Sequence, residues 1–168
     1  MKTYILLILL IPTFTFSQIH PIKIFEPLVG YSWSAEGTWG DGSTFKQEIT
    51  YEFSLNGKLV ISKSKGFIDK EQTIYGLRNH GIRQFDAKKG KIRFWEFDIF
   101  DNVTEGTVEK NGRNFIYTYD YDGNIVTEMW IYKDEVTYGF IVGVYSDGEW
   151  QQKFLETQFK GQKFKPDR

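Results

Sequence analysis

The sequence contains no cysteine, and only 2 of its 168 residues are histidine. The missing thiols exclude disulfides, thiolate metal centres, cysteine nucleophiles and lipid attachment through an N-terminal cysteine. The shortage of histidine argues against a multi-histidine metal site and against a pair of catalytic histidines. We therefore expect no metal ion and no cofactor, and no catalytic residue stands out.

Charge of one sign and proline are also scarce. The formal net charge is −1, so the chain lacks the excess of lysine and arginine that nucleic-acid binding requires. It holds only 4 prolines but 16 glycines, and 18% of its residues are aromatic. This combination is typical of β-strands joined by tight turns, and the length fits a single domain.

The longest hydrophobic run lies at the N-terminus. Lys2 precedes the apolar stretch Tyr4–Ile11, and Thr15 and Ser17 place small residues before a cleavage point. This order is typical of a signal peptide over residues 1–17, and the run is too short to span a membrane. We therefore expect an exported protein, secreted or periplasmic, that is not inserted in a membrane once the signal is removed.

Residues 18–168 are predicted to form one β-domain. A short helical turn is expected around Ile22–Leu28, and strand patterns follow it. The clearest pattern is Thr44–Phe53, where an apolar or aromatic side chain at nearly every second position indicates a half-buried antiparallel strand. Hairpin-forming pairs occur at Asn56-Gly57, Asn111-Gly112, Asp122-Gly123 and Asp147-Gly148.

About ten strands can be counted in this way, each joined to the next by a short turn. A meander of this length has two exposed edges unless it closes on itself, so we predict an all-β, antiparallel up-and-down barrel. The competing closure is a two-sheet sandwich. It needs long crossover connections, and the sequence has no long polar segment to supply them.

The start of the predicted barrel carries residues by which the chain resembles a known superfamily. They are Leu28-Val29-Gly30, then Trp33, then Glu36-Gly37. With them the chain resembles calycin-type barrels, the superfamily of lipocalins, fatty-acid-binding proteins and nitrobindin-like proteins, and it is most similar to small exported bacterial members. The resemblance implies an interior cavity that binds a small apolar or amphipathic molecule, with Trp33 packed across the barrel floor.

Several predicted strands place charged side chains among aromatic ones. Arg93 and Trp95 share one face of their strand, and Glu128 and Trp130 share one face of theirs. Aromatic residues with an arginine and a carboxylate suit a pocket that fixes the polar end of a ligand. The same charges could instead form an internal salt bridge that only closes the barrel. The predicted ligand-binding residues are Arg93, Trp95, Tyr117, Tyr119, Glu128 and Trp130.

These residues are compatible with three functions. The first is a monomeric, non-catalytic protein that binds a small molecule. The second is a secreted enzyme that acts on a small lipid or sugar through a cavity acid such as Glu96 or Glu128, which predicts a carboxyl group with a raised pKa. The third is a barrel with a filled interior that acts as an interaction module through its rim. The volume of the interior cavity separates the third function from the other two.

Overall fold

The computed structural model describes residues 19–164 of the chain. They form a 3₁₀ helix, Pro21–Leu28, followed by ten antiparallel strands, with a three-residue 3₁₀ turn, Leu55–Gly57, between the second and third strands. The strands are β1 (Tyr31–Thr38), β2 (Thr44–Ser54), β3 (Leu59–Phe67), β4 (Tyr75–Asp86), β5 (Lys91–Asp98), β6 (Val103–Asn111), β7 (Asn114–Tyr121), β8 (Asn124–Asp134), β9 (Thr137–Ser146) and β10 (Glu149–Lys163). The predicted signal peptide lies outside the described residues and stays a prediction.

The ten strands close into a barrel. Each strand pairs with its neighbour in sequence, and β1 completes the ring by pairing with β10. This closure satisfies the backbone groups that an open meander would leave at its two edges. The predicted up-and-down barrel with a short N-terminal helical turn is confirmed, and the two-sheet sandwich is wrong. Within residues 19–164, no helix has the length and apolar character needed to cross a membrane.

Strand alternation and turn chemistry account for the local structure. On β2 the side chains of Ile49 and Tyr51 point inward and are buried. Glu52, the next residue along the strand, points outward and is exposed. At Asp122-Gly123 and Asp147-Gly148 both residues of each pair have positive φ angles, as the tight type I′ hairpin requires. The hairpins that the sequence predicts at these two pairs therefore form.

One end of the barrel is filled by the 3₁₀ helix, and we call it the sealed end. Phe25 and Leu28 are fully buried there. The Phe25 ring stacks on Tyr51 and on Phe115, with centroid distances of 6.3 and 5.6 Å. The Trp33 indole is also fully buried, and its Nε1 donates a hydrogen bond of 2.9 Å to the Leu28 carbonyl oxygen. In the described part of the chain, this packing fills the interior at the sealed end, so the free interior space lies towards the opposite, open end of the barrel.

Candidate ligand-binding cavity

The interior between the sealed end and the open end holds two adjoining spaces. The inner chamber has a volume of about 130 Å³, and the outer chamber, which reaches the open end at Trp39, has about 320 Å³. The chambers meet at four residues that line both of them: Gln47, Asn79, Glu128 and Phe140. The outer chamber lies at the lower end of the range of about 300–1,000 Å³ that is typical of small-molecule sites. The interior is therefore not completely filled, which favours the two alternatives that need a cavity over the interaction module.

The inner chamber is walled by aromatic and polar side chains together. Its aromatic walls are Tyr51, Phe94, Tyr117, Tyr119, Trp130 and Phe140. Its polar walls are Gln47, Ser64, Asn79, Arg83, Thr104, Glu96 and Glu128. Such a lining can enclose an apolar molecule and orient it through a few polar contacts.

A buried ion pair lies at the centre of the polar wall. The Arg83 guanidinium on β4 is paired with Glu96 on β5, and its Nη1 donates a 2.6 Å hydrogen bond to the Ser62 hydroxyl on β3. Its central carbon lies 5.5 Å from the ring centroids of both Tyr51 and Tyr117. Only 3% of the Arg83 side chain is exposed, so its positive charge is largely desolvated. The Glu96 carboxylate and the faces of the two tyrosine rings stabilise this charge in place of water.

Gly81 makes room for this ion pair. It lies between Asn79 and Arg83 on the inward face of β4. A Cβ atom at this position would overlap Arg83 Nη1, Ser62 Oγ and Glu96 Oε1. Glycine is therefore the residue that allows three strands to bring these polar groups together.

Four buried polar atoms in the inner chamber have no hydrogen-bond partner in the part of the chain that the structure describes. They are Ser64 Oγ, Asn79 Oδ1, Arg83 Nε and Tyr117 Oη. Buried polar atoms in folded proteins almost always have a partner, and leaving one without costs about 1–3 kcal/mol. Their concentration around one space suits a chamber that takes up water or the polar end of a bound molecule.

The second carboxyl group of the inner chamber is that of Glu128 on β8. Its Oε1 accepts a 2.9 Å hydrogen bond from the Tyr119 hydroxyl on β7. Desolvation inside the barrel raises the pKa of the Glu128 carboxyl to about 7, although the Tyr119 hydrogen bond opposes this shift. Burial and the nearby Glu128 carboxylate also raise the pKa of Tyr119. Its hydroxyl group is therefore protonated at neutral pH and donates the hydrogen bond to Glu128. Glu128 is thus a cavity group that changes charge near neutrality.

The structure brings four of the six predicted ligand-binding residues together. Tyr117, Tyr119, Glu128 and Trp130 all line the inner chamber. Their role towards a ligand stays a prediction, because their position shows only that they face the same space.

Arg93 and Trp95 do not lie in the cavity. Both side chains lie on the outer face of β5, where Arg93 Nη2 and Trp95 Nε1 bond to Glu105 at 2.8 and 2.9 Å. Side chains alternate along a strand, and the inward position of Glu96 places its neighbours on the outside. The expectation that Arg93 supplies the cavity arginine is therefore corrected: that arginine is Arg83.

The sequence held two signals for the residues that were missed. On β3, Ser62 and Ser64 alternate with Lys63 and Lys65, and lysines are rarely buried, so the serines belong to the inner face. On β4, a glycine lies between two polar residues of the same face, which is typical of a site where other groups approach closely. Together these patterns indicate a polar inner wall on β3 and β4.

Metal and histidine chemistry receive no support from the geometry. Among residues 19–164, no cluster of three or more histidine, aspartate and glutamate side chains could hold a metal ion. His80 is exposed on β4, and His20 caps the 3₁₀ helix, where its Nδ1 accepts from the Ile22 amide at 3.4 Å. Neither histidine lines a chamber.

Comparison with known proteins gives structural likenesses but no match in sequence. No family model matches the sequence, and no curated protein matches it. The S-type phycobiliprotein lyase CPES from Guillardia theta is similar in structure, with a TM-score of 0.47 and 11% sequence identity over 90% of this chain and 96% of that chain. A likeness of this degree identifies neither a family nor a ligand for this chain.

Proposed function

We propose that this chain is an exported, calycin-like barrel that binds a small, partly apolar molecule in its interior without transforming it. The observation that supports the proposal is the lining of the inner chamber, where aromatic walls lie beside buried polar atoms that have no partner within residues 19–164, such as Ser64 Oγ and Asn79 Oδ1. Water or the polar end of a bound molecule can supply the partners that these atoms lack.

The aromatic wall supports the same function. Phe94, Trp130 and Phe140 enclose apolar surface beside these polar atoms. The outer chamber continues this space towards the open end. We infer a ligand whose apolar part lies against this aromatic wall and whose polar part contacts the polar atoms beside it.

One observation favours a second function, an enzyme with a cavity acid. The raised pKa of Glu128, about 7, is the property expected of a general acid or base that works near neutral pH. If Glu128 is catalytic, Glu128→Gln abolishes turnover of a susceptible lipid or sugar ester while binding persists. If the barrel only binds, neither the natural chain nor this variant changes such a compound.

The first experiment is native mass spectrometry of the full chain, produced in a host that exports it and purified without denaturation. We expect the mass of residues 18–168 plus a stoichiometric extra mass that is lost on denaturation. The mass of the chain also tests the predicted cleavage after Ser17.

A matched pair of variants tests where the extra mass binds. Ser64→Phe fills the inner chamber, whereas Lys63→Phe adds the same ring on the outer face of the same strand. We expect the first variant to be recovered without the extra mass and the second to retain it. Retention by both variants, or a bare natural chain even after incubation with a lipid extract of the host, would contradict interior binding.

A further inference from the structure

The charged side chains of the cavity favour a positively charged ligand over a negatively charged one. Three charged side chains line the inner chamber: Arg83, Glu96 and Glu128. Arg83 is already paired with Glu96 through Nη2, and its Nη1 donates to Ser62. Of its three nitrogens only Nε has no partner among the described residues, and a ligand carboxylate at this nitrogen would add a negative charge beside two carboxyl groups.

The meeting point of the two chambers combines two hydrogen-bond acceptors, Asn79 Oδ1 and the Glu128 carboxyl group, with an aromatic ring and the side-chain amide of Gln47. Asn79 Oδ1 is a buried acceptor without a partner, and in the described part of the chain only Tyr119 donates to the Glu128 carboxyl group. The Phe140 ring lines both chambers at the same place. An ammonium group supplies three hydrogen-bond donors and a positive charge, which aromatic faces also attract.

The two lysines of the outer chamber are paired with carboxylates on the outer face of the barrel, and its arginine contacts a backbone carbonyl and an aromatic ring. Lys46 Nζ is 2.7 Å from Glu36 and Lys65 Nζ is 2.9 Å from Glu48, so both cations are paired. Arg78 lies towards the open end, where its Nη1 donates to the Phe67 carbonyl oxygen and its guanidinium faces the Phe100 ring. Within residues 19–164, Glu128 is therefore the carboxyl group of the lining that forms no salt bridge.

From this arrangement we infer that the cavity is selective for amines: it binds an amphipathic molecule whose protonated amino group lies between Glu128 and Asn79, and it disfavours the matching carboxylate. The inference rests on the proposed binding function and adds the chemical class of the ligand. Because ionisation of Glu128 is centred near pH 7, binding of an amine tightens as the pH rises from 6 to 8, whereas binding of a carboxylate weakens.

The test compares three soluble probes with the same eight-carbon chain: octylamine, octanol and octanoate. Their affinities for the natural chain are measured by titration calorimetry at pH 6 and pH 8. We expect octylamine to bind at least tenfold more tightly than octanoate at pH 8, with octanol between them. Glu128→Gln should reduce this preference to less than twofold. The control Glu105→Gln, which removes a carboxylate from the outer face, should keep it.

The outcomes separate this inference from the function on which it rests. If octanol binds but octanoate equals or exceeds octylamine, the amine selectivity is wrong and interior binding stands. A preference that survives in Glu128→Gln would also overturn the inference, because it would locate the selectivity elsewhere. If none of the three probes binds, both the inference and the proposed function fail.

Discussion

The carboxyl group of Glu128 should make the barrel less stable as the pH rises towards neutrality. Its pKa is about 7 in the folded chain, compared with 4.5 for an ordinary glutamate. Between these two values the folded state binds more protons than the unfolded state, so the free energy of unfolding falls with increasing pH. The stabilising effect of the raised pKa is complete below 4.5, and it is lost as the pH passes through about 7.

The size of this loss follows from the pKa difference. Each pKa unit corresponds to about 1.4 kcal/mol, so a rise from 4.5 to about 7 implies a loss of about 3 kcal/mol between pH 4 and pH 8. Glu128→Gln keeps the size of the side chain and removes the titration. The difference in unfolding free energy between the natural chain and this variant should therefore change by about 3 kcal/mol over the same range.

Urea denaturation followed by tryptophan fluorescence, at pH steps from 4 to 8, measures this difference. Glu52→Gln is the matched control, because its carboxylate is exposed on the outer face of β2, and its stability curve should run parallel to that of the natural chain. Parallel curves for Glu128→Gln and the natural chain would refute the argument, since Glu128 would then titrate as it does in the unfolded state.

Three further predictions concern the walls and the sealed end. Gly81→Ala should lower the unfolding free energy by about 2–3 kcal/mol, because the added Cβ overlaps the buried ion pair. The control Gly40→Ala, whose Cβ would lie 3.6 Å from a backbone oxygen, should change the unfolding free energy by less than about 1 kcal/mol. Arg83→Met should cost about 3 kcal/mol because a carboxylate is left without its partner, whereas Arg93→Ala, on the outer face, should cost less than about 1 kcal/mol and leave probe binding unchanged. Phe25→Ala should cost about 3–5 kcal/mol. Urea denaturation measures each change in unfolding free energy. Equal changes for the two glycine variants, or for the two arginine variants, would contradict the assignment of Gly81 and Arg83 to the buried polar wall.

The fold follows from regularities that a single sequence contains. Strands such as Thr44–Phe53 have a clear two-residue period, and Asp-Gly pairs fix hairpins at the positions where the chain reverses. A long series of short connections leaves closure into a barrel as the way to remove both edges. These local features need no knowledge of distant contacts, and they were sufficient for the barrel and its helical turn.

The site was less predictable because one strand has two mixed faces. On β5, Arg93 and Trp95 alternate with Phe94 and Glu96, and either pair could face inward by composition alone. The choice depends on Arg83, which lies on another strand and provides the partner that lets Glu96 be buried. A contact between strands therefore decides the face, and such a contact cannot be derived from the pattern of β5 itself.

The pairing of β1 with β10 has a practical consequence for how the molecule can be handled. Tyr31 lies opposite Lys163, next to the 3₁₀ helix, so the described chain begins and finishes at the sealed end. A tether fused before residue 19 or after residue 164 is attached on the side away from the opening. Molecules fixed to a sensor surface by a tether at either position would present the mouth of the barrel to the solution. Binding curves recorded with the two tethers should therefore coincide.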